Sequence, residues 1–463
     1  MTAATTSVPT PEGPRDTEDG PRPALSHDEA VAAARAIAPR LGAYAAEADR
    51  LRTLPEEAVR LLDDARLLDI LTPRLWGGGG LGFATALLTT EELSRGCASV
   101  GWLRAVMGGN TWTVAQFPVE ARQEVFSAPS SRVALQLRLA GPPARRVPEG
   151  YLLRGMWGRF CSGIDHAEWI VAGVSAPPAP GAEPEPHVVL LPQQRTVGID
   201  DWHTSGLRGT GSRSFTVPEL LVPHHRVLPL SALDPVNPSP HGRPRTTPYR
   251  MAFAAVGTVA LAGVLLGAAR AALDAYAGSP GGVSGLDVSG LTATVDTARA
   301  LLLADLDVLA ASSAPGGTPE ERARMRRDIA YAGTRCREVV NAVYEASGSA
   351  VIYDDAPVQR IWRDANAAAQ HPTFDLRRWG ATPSWNGGRP LPRTAAGSSL
   401  NLLGTAPTSP RRCRTCTSAA PASRSSGTAS PRRRPAASPH ARRCSTSAPG
   451  TRSRRTRWSS CRG

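Results

Sequence analysis

The sequence predicts an α+β fold with three parts: an N-terminal helical domain, a central β domain and a C-terminal four-helix bundle. Three observations carry this. From Ser131 onward Val133, Leu135, Leu137 and Leu139 alternate with smaller or polar residues, the two-residue period of a half-buried strand. A Pro-rich stretch at 230–248 then interrupts the pattern. Beyond it, Met325, Ile329, Ala332, Cys336, Val340 and Val343 recur at three- and four-residue spacing, which is a helix with one buried face. The parts are a disordered leader at 1–25, helices at 26–130, strands at 131–229, the linker at 230–248, the bundle at 249–376 and a tail at 377–463.

Taken in order, the leader is Pro, Thr, Asp, Glu and Gly, with too little to bury for a fold. Ser26 followed by Glu29 is a capping box, and it opens an Ala-rich helix reaching about Arg50. Pro55 with Glu56 and Glu57 starts a second helix, since proline in the first turn forfeits no hydrogen bond and acids suit the positive helix end. The four glycines at 77–80 lack the Lys-Ser/Thr of a phosphate loop, so a close-packed turn is expected. Helical patterns resume over 84–94 and 100–117, the second carrying Trp102, Asn110 and Trp112. Strands are expected at 133–139, 151–157, 169–174, 187–191, 196–199 and 213–217, separated by Pro/Gly turns. Helices follow at 249–277, 291–312, 319–346 and 357–371, where Pro372 stops the last. In that helix Arg360 and Asp364 are four apart and can pair, and a histidine at its end, His371, suits the helix dipole.

Composition narrows the classes of function. The 463 residues are 41% hydrophobic, ordinary for a globular chain, but the net charge of +13 is unevenly placed. Residues 376–463 hold 18 arginines and no acid, so the preceding residues are mildly acidic. There is no lysine anywhere, which excludes a phosphate-loop lysine, a Schiff-base lysine and a lysine general base together. Cys97, Cys161 and Cys336 are scattered without a disulfide framework or metal spacing, and no signal sequence opens the chain, so a cytoplasmic protein is expected. The stretch 251–269 is free of charge and contains Gly263 and Gly267 four apart; a buried bundle helix is preferred to a membrane span. The tail has three readings: a zinc site from Cys413, Cys416, Cys444 and Cys461, a nucleic-acid arm, or a GC-rich gene read out of frame. The third is preferred, because the change is abrupt and aromatic interleaving is nearly absent.

The segment 155–169, GMWGRFCSGIDHAEW, is the most informative in the chain. Between two strand-like runs it gathers two indoles, a thiol, a hydroxyl, glycines and an Asp-His pair, which suits a flat, partly polar ligand. A second turn at 201–212 combines glycines, hydroxyls and Arg208; an anion nest and a plain tight turn both fit it.

Trp157, Ser162, Gly163, Asp165, His166, Ala167 and Trp169 together resemble the flavin-facing segment of acyl-CoA dehydrogenase-like flavin monooxygenases. The resemblance continues in order through Gly101-Trp102, Trp202 with 206–212, Val222-Pro223, and Gln359 to Asp364 and on to His371. It implies the oxygenase component of a two-component system, in which a flavin reductase supplies reduced FMN or FADH2. Oxygen then reacts through a flavin C4a-hydroperoxide, and a phenolic or polyketide-like aromatic is hydroxylated. On this resemblance Ser162 bonds the flavin near N5 or the peroxide, Trp102 and Trp157 wall the ring, and Cys161, Gly163, Arg208, Thr210 and Ser212 complete the cofactor side. His371 takes the phenolic proton, and Asn110, Trp112 and Asn366 face the substrate, with Asn110 and Asn366 standing where seco-steroid-type relatives carry histidine. A homotetramer, a bacterial role in antibiotic-type biosynthesis and no nucleic-acid or membrane partner are also implied. Two other chemistries share the scaffold: N-hydroxylation of an amino-sugar, and acyl-CoA dehydrogenation. The latter needs a glutamate base, and the only acids in 355–375 are Asp355, Asp364 and Asp375.

Overall fold

The computed structural model describes residues 25–379, apart from 128–131, 238, 240, 243, 245 and 279–284. The leader expected over residues 1–24 and the tail from residue 380, with its cysteines, lie outside the described residues.

Ser26 forms the capping box with Glu29, and α1 runs His27–Ala43. The expected single helix to Arg50 is broken: the chain re-enters as α2, Ala45–Leu51, after Tyr44. Pro55 caps α3, Glu56–Asp64. Then come α4, Phe83–Gly96, α5, Ala98–Val114, and α6, Val119–Phe126. Of these, α5 is buried almost throughout, which is why its sequence lacks a clean polar face.

Among the described residues the β region holds eight strands: β1 Val133–Gln136, β2 Arg145–Val147, β3 Gly150–Cys161, β4 Trp169–Ala176, β5 Glu185–Pro192, β6 Val197–Ile199, β7 Arg213–Pro223 and β8 Val227–Pro229. They make two four-stranded sheets, in the orders β1-β4-β5-β8 and β2-β3-β7-β6. Only β1 and β4 pair in parallel. The short strands β2, Arg-Arg-Val, and β8, Val-Leu-Pro, escaped the sequence reading, because neither alternates apolar and polar residues.

The helix expected over 249–277 is three pieces: α7 Thr247–Arg250, α8 Phe253–Val256 and α9 Val259–Ala277. With α10 Val288–Ala311, α11 Pro319–Ala346 and α12 Pro357–Ala368 it forms the bundle. The apolar helix α9 is buried on nearly every side by protein, as a core helix is. Its two glycines explain how α4 comes so near: a Cβ on Gly263 would lie 2.6 Å from Leu87 O, and one on Gly267 2.3 Å from Glu91 O. Gly263 and Gly267 therefore serve close helix approach within the protein rather than in lipid. The helix α12 ends at Ala368, three residues before the expected His371; a short 3-10 turn, Pro372–Phe374, and α13, Leu376–Trp379, complete the described chain.

Candidate active site

Three elements meet around one serine. Strand β3 ends at Cys161, and a tight turn over 162–166 begins with Ser162, which keeps 7% of its surface exposed. Gly163 allows the turn: its φ is +74°, and a Cβ there would press on Leu103 and Met107 of α5 at 2.9 and 3.0 Å. Across from it, α5 presents Trp102, whose indole Nε1 donates to Ser162 Oγ at 3.0 Å. From the other side comes a 3-10 turn, Arg208–Thr210, flanked by Leu207 and Gly211, both at φ +51°. Ser212 Oγ lies 2.7 Å from Ser162 Oγ and 2.7 Å from Thr210 Oγ1, and Thr210 Oγ1 donates to Leu207 O at 2.8 Å. Gly163 N donates to Thr210 O at 3.0 Å, so the two turns are held in one register.

The bundle closes the third side. Trp102 packs edge-on against the ring of His371, with centroids 5.8 Å apart. His371 is the cap of the 3-10 turn after α12, and its Nδ1 accepts the Thr373 N–H at 3.3 Å. Burial without a carboxylate partner pushes its pKa down to about 4, so the ring is neutral at ordinary pH. Two expectations change here. A neutral ring is no cationic partner for a helix dipole. And a backbone N–H can only donate, so Nδ1 is the accepting nitrogen and the proton resides on Nε2. In this arrangement His371 offers a hydrogen-bond donor at Nε2, and the proton-accepting role expected from the resemblance needs the other tautomer.

The Asp-His pair of the motif anchors the turn. Arg213 Nε donates to Asp165 Oδ2 at 2.9 Å, Arg213 also bonds Asp200, and Arg52 grips Asp200 with two bonds of 2.7 and 3.0 Å. His166 Nε2 lies 3.1 Å from Thr53 Oγ1. Asp364, buried in α12, accepts Leu207 N–H at 2.6 Å instead of forming the expected pair with Arg360. Burial raises its pKa to about 6, against the lowering effect of that bond.

Other expected site residues do different work. Cys161 is fully buried, and its thiol pKa is driven up by burial, so it packs the core beside the turn as a neutral thiol. Arg208 donates through Nε to Asp49 O at 2.8 Å and faces Asp49 Oδ1 at 3.7 Å, which ties the turn to α2. Trp112 is 1% exposed; its Nε1 donates to Pro248 O at 2.8 Å and its ring stacks on Phe253, so it fastens the bundle entry to α5 and does not face a substrate. Asn110 is buried and donates to Val133 O at 2.8 Å, joining α5 to β1. Asn366 donates to Asn341 Oδ1 and Trp362 O, both at 2.9 Å, a strut between α11 and α12. Trp157 is half-buried in β3 and bridges to Ala140.

One residue was missed. The β3–β7 register breaks between Gly158 and Cys161, and Phe160 takes φ +60° there, a left-handed conformation that costs a phenylalanine about 1–2 kcal/mol. The bulge turns its ring outward, 64% exposed and edge-on to Trp202 at 6.3 Å. The burial pattern of β3 marks the same break: buried positions switch parity between Gly158 and Cys161, which an unbroken strand does not do.

Helices, a double sheet and a bundle converging on a hydroxyl set between aromatic rings define a protein of the acyl-CoA dehydrogenase fold. Residues 26–129 match the family described as acyl-CoA dehydrogenase, N-terminal domain, and residues 283–376 match acyl-CoA dehydrogenase, C-terminal domain. Within that fold the chain belongs to the family of flavin-dependent monooxygenase oxygenase subunits. It is 30% identical over 367 residues to the oxygenase subunit HsaA of Mycobacterium tuberculosis, an alignment covering 75% of this chain and 92% of that relative. To the FADH2-dependent resorcinol hydroxylase, oxygenase component, of a Rhizobium species it is 29% identical over 383 residues, covering 77% of this chain and 93% of that one. Among solved structures, XiaF from a Streptomyces species in complex with FADH2 and glycerol superposes with a TM-score of 0.72 at 26% identity, over 79% of this chain and 96% of the other.

Proposed function

We propose that the protein is the oxygenase component of a two-component system that hydroxylates a phenolic aromatic, using reduced FMN or FADH2 delivered by a separate reductase. The observation that carries this is the Ser162 turn: a single hydroxyl between Trp102 and the Thr210–Ser212 loop. These residues fit a flavin, a flat ring with polar edges, better than they fit a long acyl chain. When bound, reduced flavin supplies the two electrons with which oxygen is activated.

The chain's own part is binding, orientation and exclusion of water. Ser162 is the group that meets the flavin edge, and Trp102, Trp157 and Phe160 shape the aromatic wall. On the substrate side His371 is the polar group, and its Nε2–H has no partner among the described residues. A donor in a dry site favours a phenolate oxygen over a phenol, and an ionised oxygen makes the ring a better nucleophile. His371 thus promotes the reaction by preferring the ionised substrate.

Large apolar side chains left exposed, among them Val197, Ile199, Ile352 and Tyr353, support a homotetramer. A substrate of aromatic polyketide type in a biosynthetic pathway, and a cytoplasmic setting, accord with the lysine-free coding and with relatives named pigment production hydroxylase. The test is a single-turnover reaction: full-length protein, anaerobically reduced FMN or FADH2, and a set of phenols are mixed with oxygenated buffer. Hydroxylated product is the expected result. Peroxide release without product from every phenol, with both flavins, sinks the reading.

A further inference from the structure

The hydroxyls at Ser162, Ser212 and Thr210 form a chain whose direction is fixed at one end. Thr210 Oγ1 lies 2.8 Å from Leu207 O, a carbonyl that can only accept. Two oxygens at that separation repel unless a proton lies between them, so the Thr210 proton points at Leu207 O. Thr210 then has no proton left for Ser212, 2.7 Å away, and Ser212 must donate to it. By the same step Ser162 must donate to Ser212, also at 2.7 Å. On its other side Ser162 already accepts the Trp102 indole N–H at 3.0 Å. Its one proton and one of its two lone pairs are therefore committed, and what remains for a ligand is a single acceptor site.

We infer that Thr210 and Ser212 are positioning residues that make Ser162 an obligate acceptor, and so make the site select reduced over oxidised flavin. This rests on the flavin reading above. Reduced flavin carries a hydrogen on N5 and can donate to Ser162; oxidised flavin has a lone pair there, which would face the Ser162 lone pair. The chain does not alter the shape of the site, only which way its protons point. Such a device suits an enzyme that receives a diffusing reduced cofactor and must release the oxidised one.

The experiment measures the Kd of full-length protein for oxidised FMN and, anaerobically, for dithionite-reduced FMN. The wild type binds the reduced form about ten- to a hundredfold more tightly, the size expected for an unmatched buried polar contact. In Ser212→Ala the Ser162 proton is released and can turn toward oxidised N5, so the preference falls toward unity, chiefly through tighter binding of oxidised FMN. Thr210→Val removes the acceptor that fixes the chain and lowers the preference in the same way, whereas Thr210→Ser, which keeps the hydroxyl, retains it. Equal weakening of both forms in the first two variants, with the ratio unchanged, assigns these hydroxyls to packing and overturns the inference. A wild type that binds both forms alike overturns it too, with the flavin reading intact. A wild type that binds neither form removes the flavin reading itself.

Discussion

The indole Nε1 of Trp102 donates to Ser162 Oγ across the boundary between α5 and the turn that follows β3, at 3.0 Å and buried from solvent. One hydrogen bond thus ties α5 of the N-terminal helices to the turn that carries Ser162, while the same ring lies against His371 of the bundle.

Replacing Trp102 with Phe keeps an aromatic wall and removes the donor. Loss of a buried neutral hydrogen bond costs about 1 kcal/mol, with some further loss from the smaller ring. Thermal unfolding is expected to show a lower midpoint, and reduced-flavin titration a weaker Kd. An unchanged midpoint and Kd would show that the bond holds nothing.

The role of His371 separates by substitution. His371→Ala is expected to lower single-turnover hydroxylation by about a hundredfold, the scale of losing one preorganised donor. His371→Asn, which can still donate, recovers part of the loss, and reduced-flavin binding changes little in either. If Asn is as poor as Ala and the wild-type rate follows a titration near the ring's own pKa, His371 acts as a base instead. Under the donor reading, the pH dependence follows the acidity of the phenol across a series of substrates.

Stability against acid carries the same residue's signature. The His371 pKa is lowered by burial from 6.5 to about 4. In that window the unfolded chain binds a proton that the folded one refuses. Its contribution is therefore present above pH 6.5 and is lost as pH falls toward 4, by at most roughly 3 kcal/mol. Denaturant titrations should show wild type losing stability relative to His371→Asn as pH falls from 6.5 toward 4; a pH-independent difference between them would refute this.

Asp364 acts with the opposite sign. Its folded pKa is raised by burial from 3.8 to about 6, so its contribution is greatest below pH 3.8 and is lost as pH rises through 6. Asp364→Asn keeps an acceptor for Leu207 N–H without the buried charge, and is expected to hold or raise stability at pH 7. Asp364→Ala, which leaves that N–H without its partner, should lower it. A large loss in the Asn variant would mean that the charge itself is required.

Gly263→Ala and Gly267→Ala each place a methyl group against α4 backbone, at 2.6 and 2.3 Å. Overpacking of this kind costs about 1–3 kcal/mol. A lowered melting midpoint for each variant is expected, and a midpoint equal to wild type would show that the helices part without penalty.

The order of the parts was legible in the sequence because each depends on near neighbours. Alternation marked β1, spacing marked α11, and the Ser26–Glu29 capping box fixed the first residue of α1. Ser162 and Trp102 were legible through motif segments, since the turn needs Gly163 and the ring needs an aromatic. Where the reading failed, a distant partner decided. Arg208, Asn110 and Trp112 found backbone carbonyls 159, 23 and 136 residues away along the chain, and Asp364 left its helical neighbour for Leu207. The sequence by itself determined which residues can donate, accept or pack, because those are properties of single side chains and short periods. Only the tertiary structure decided the tautomer of His371 and the proton direction at Ser162, because a hydroxyl or an imidazole takes its role from whichever fixed donor or acceptor the fold brings within 3 Å or so.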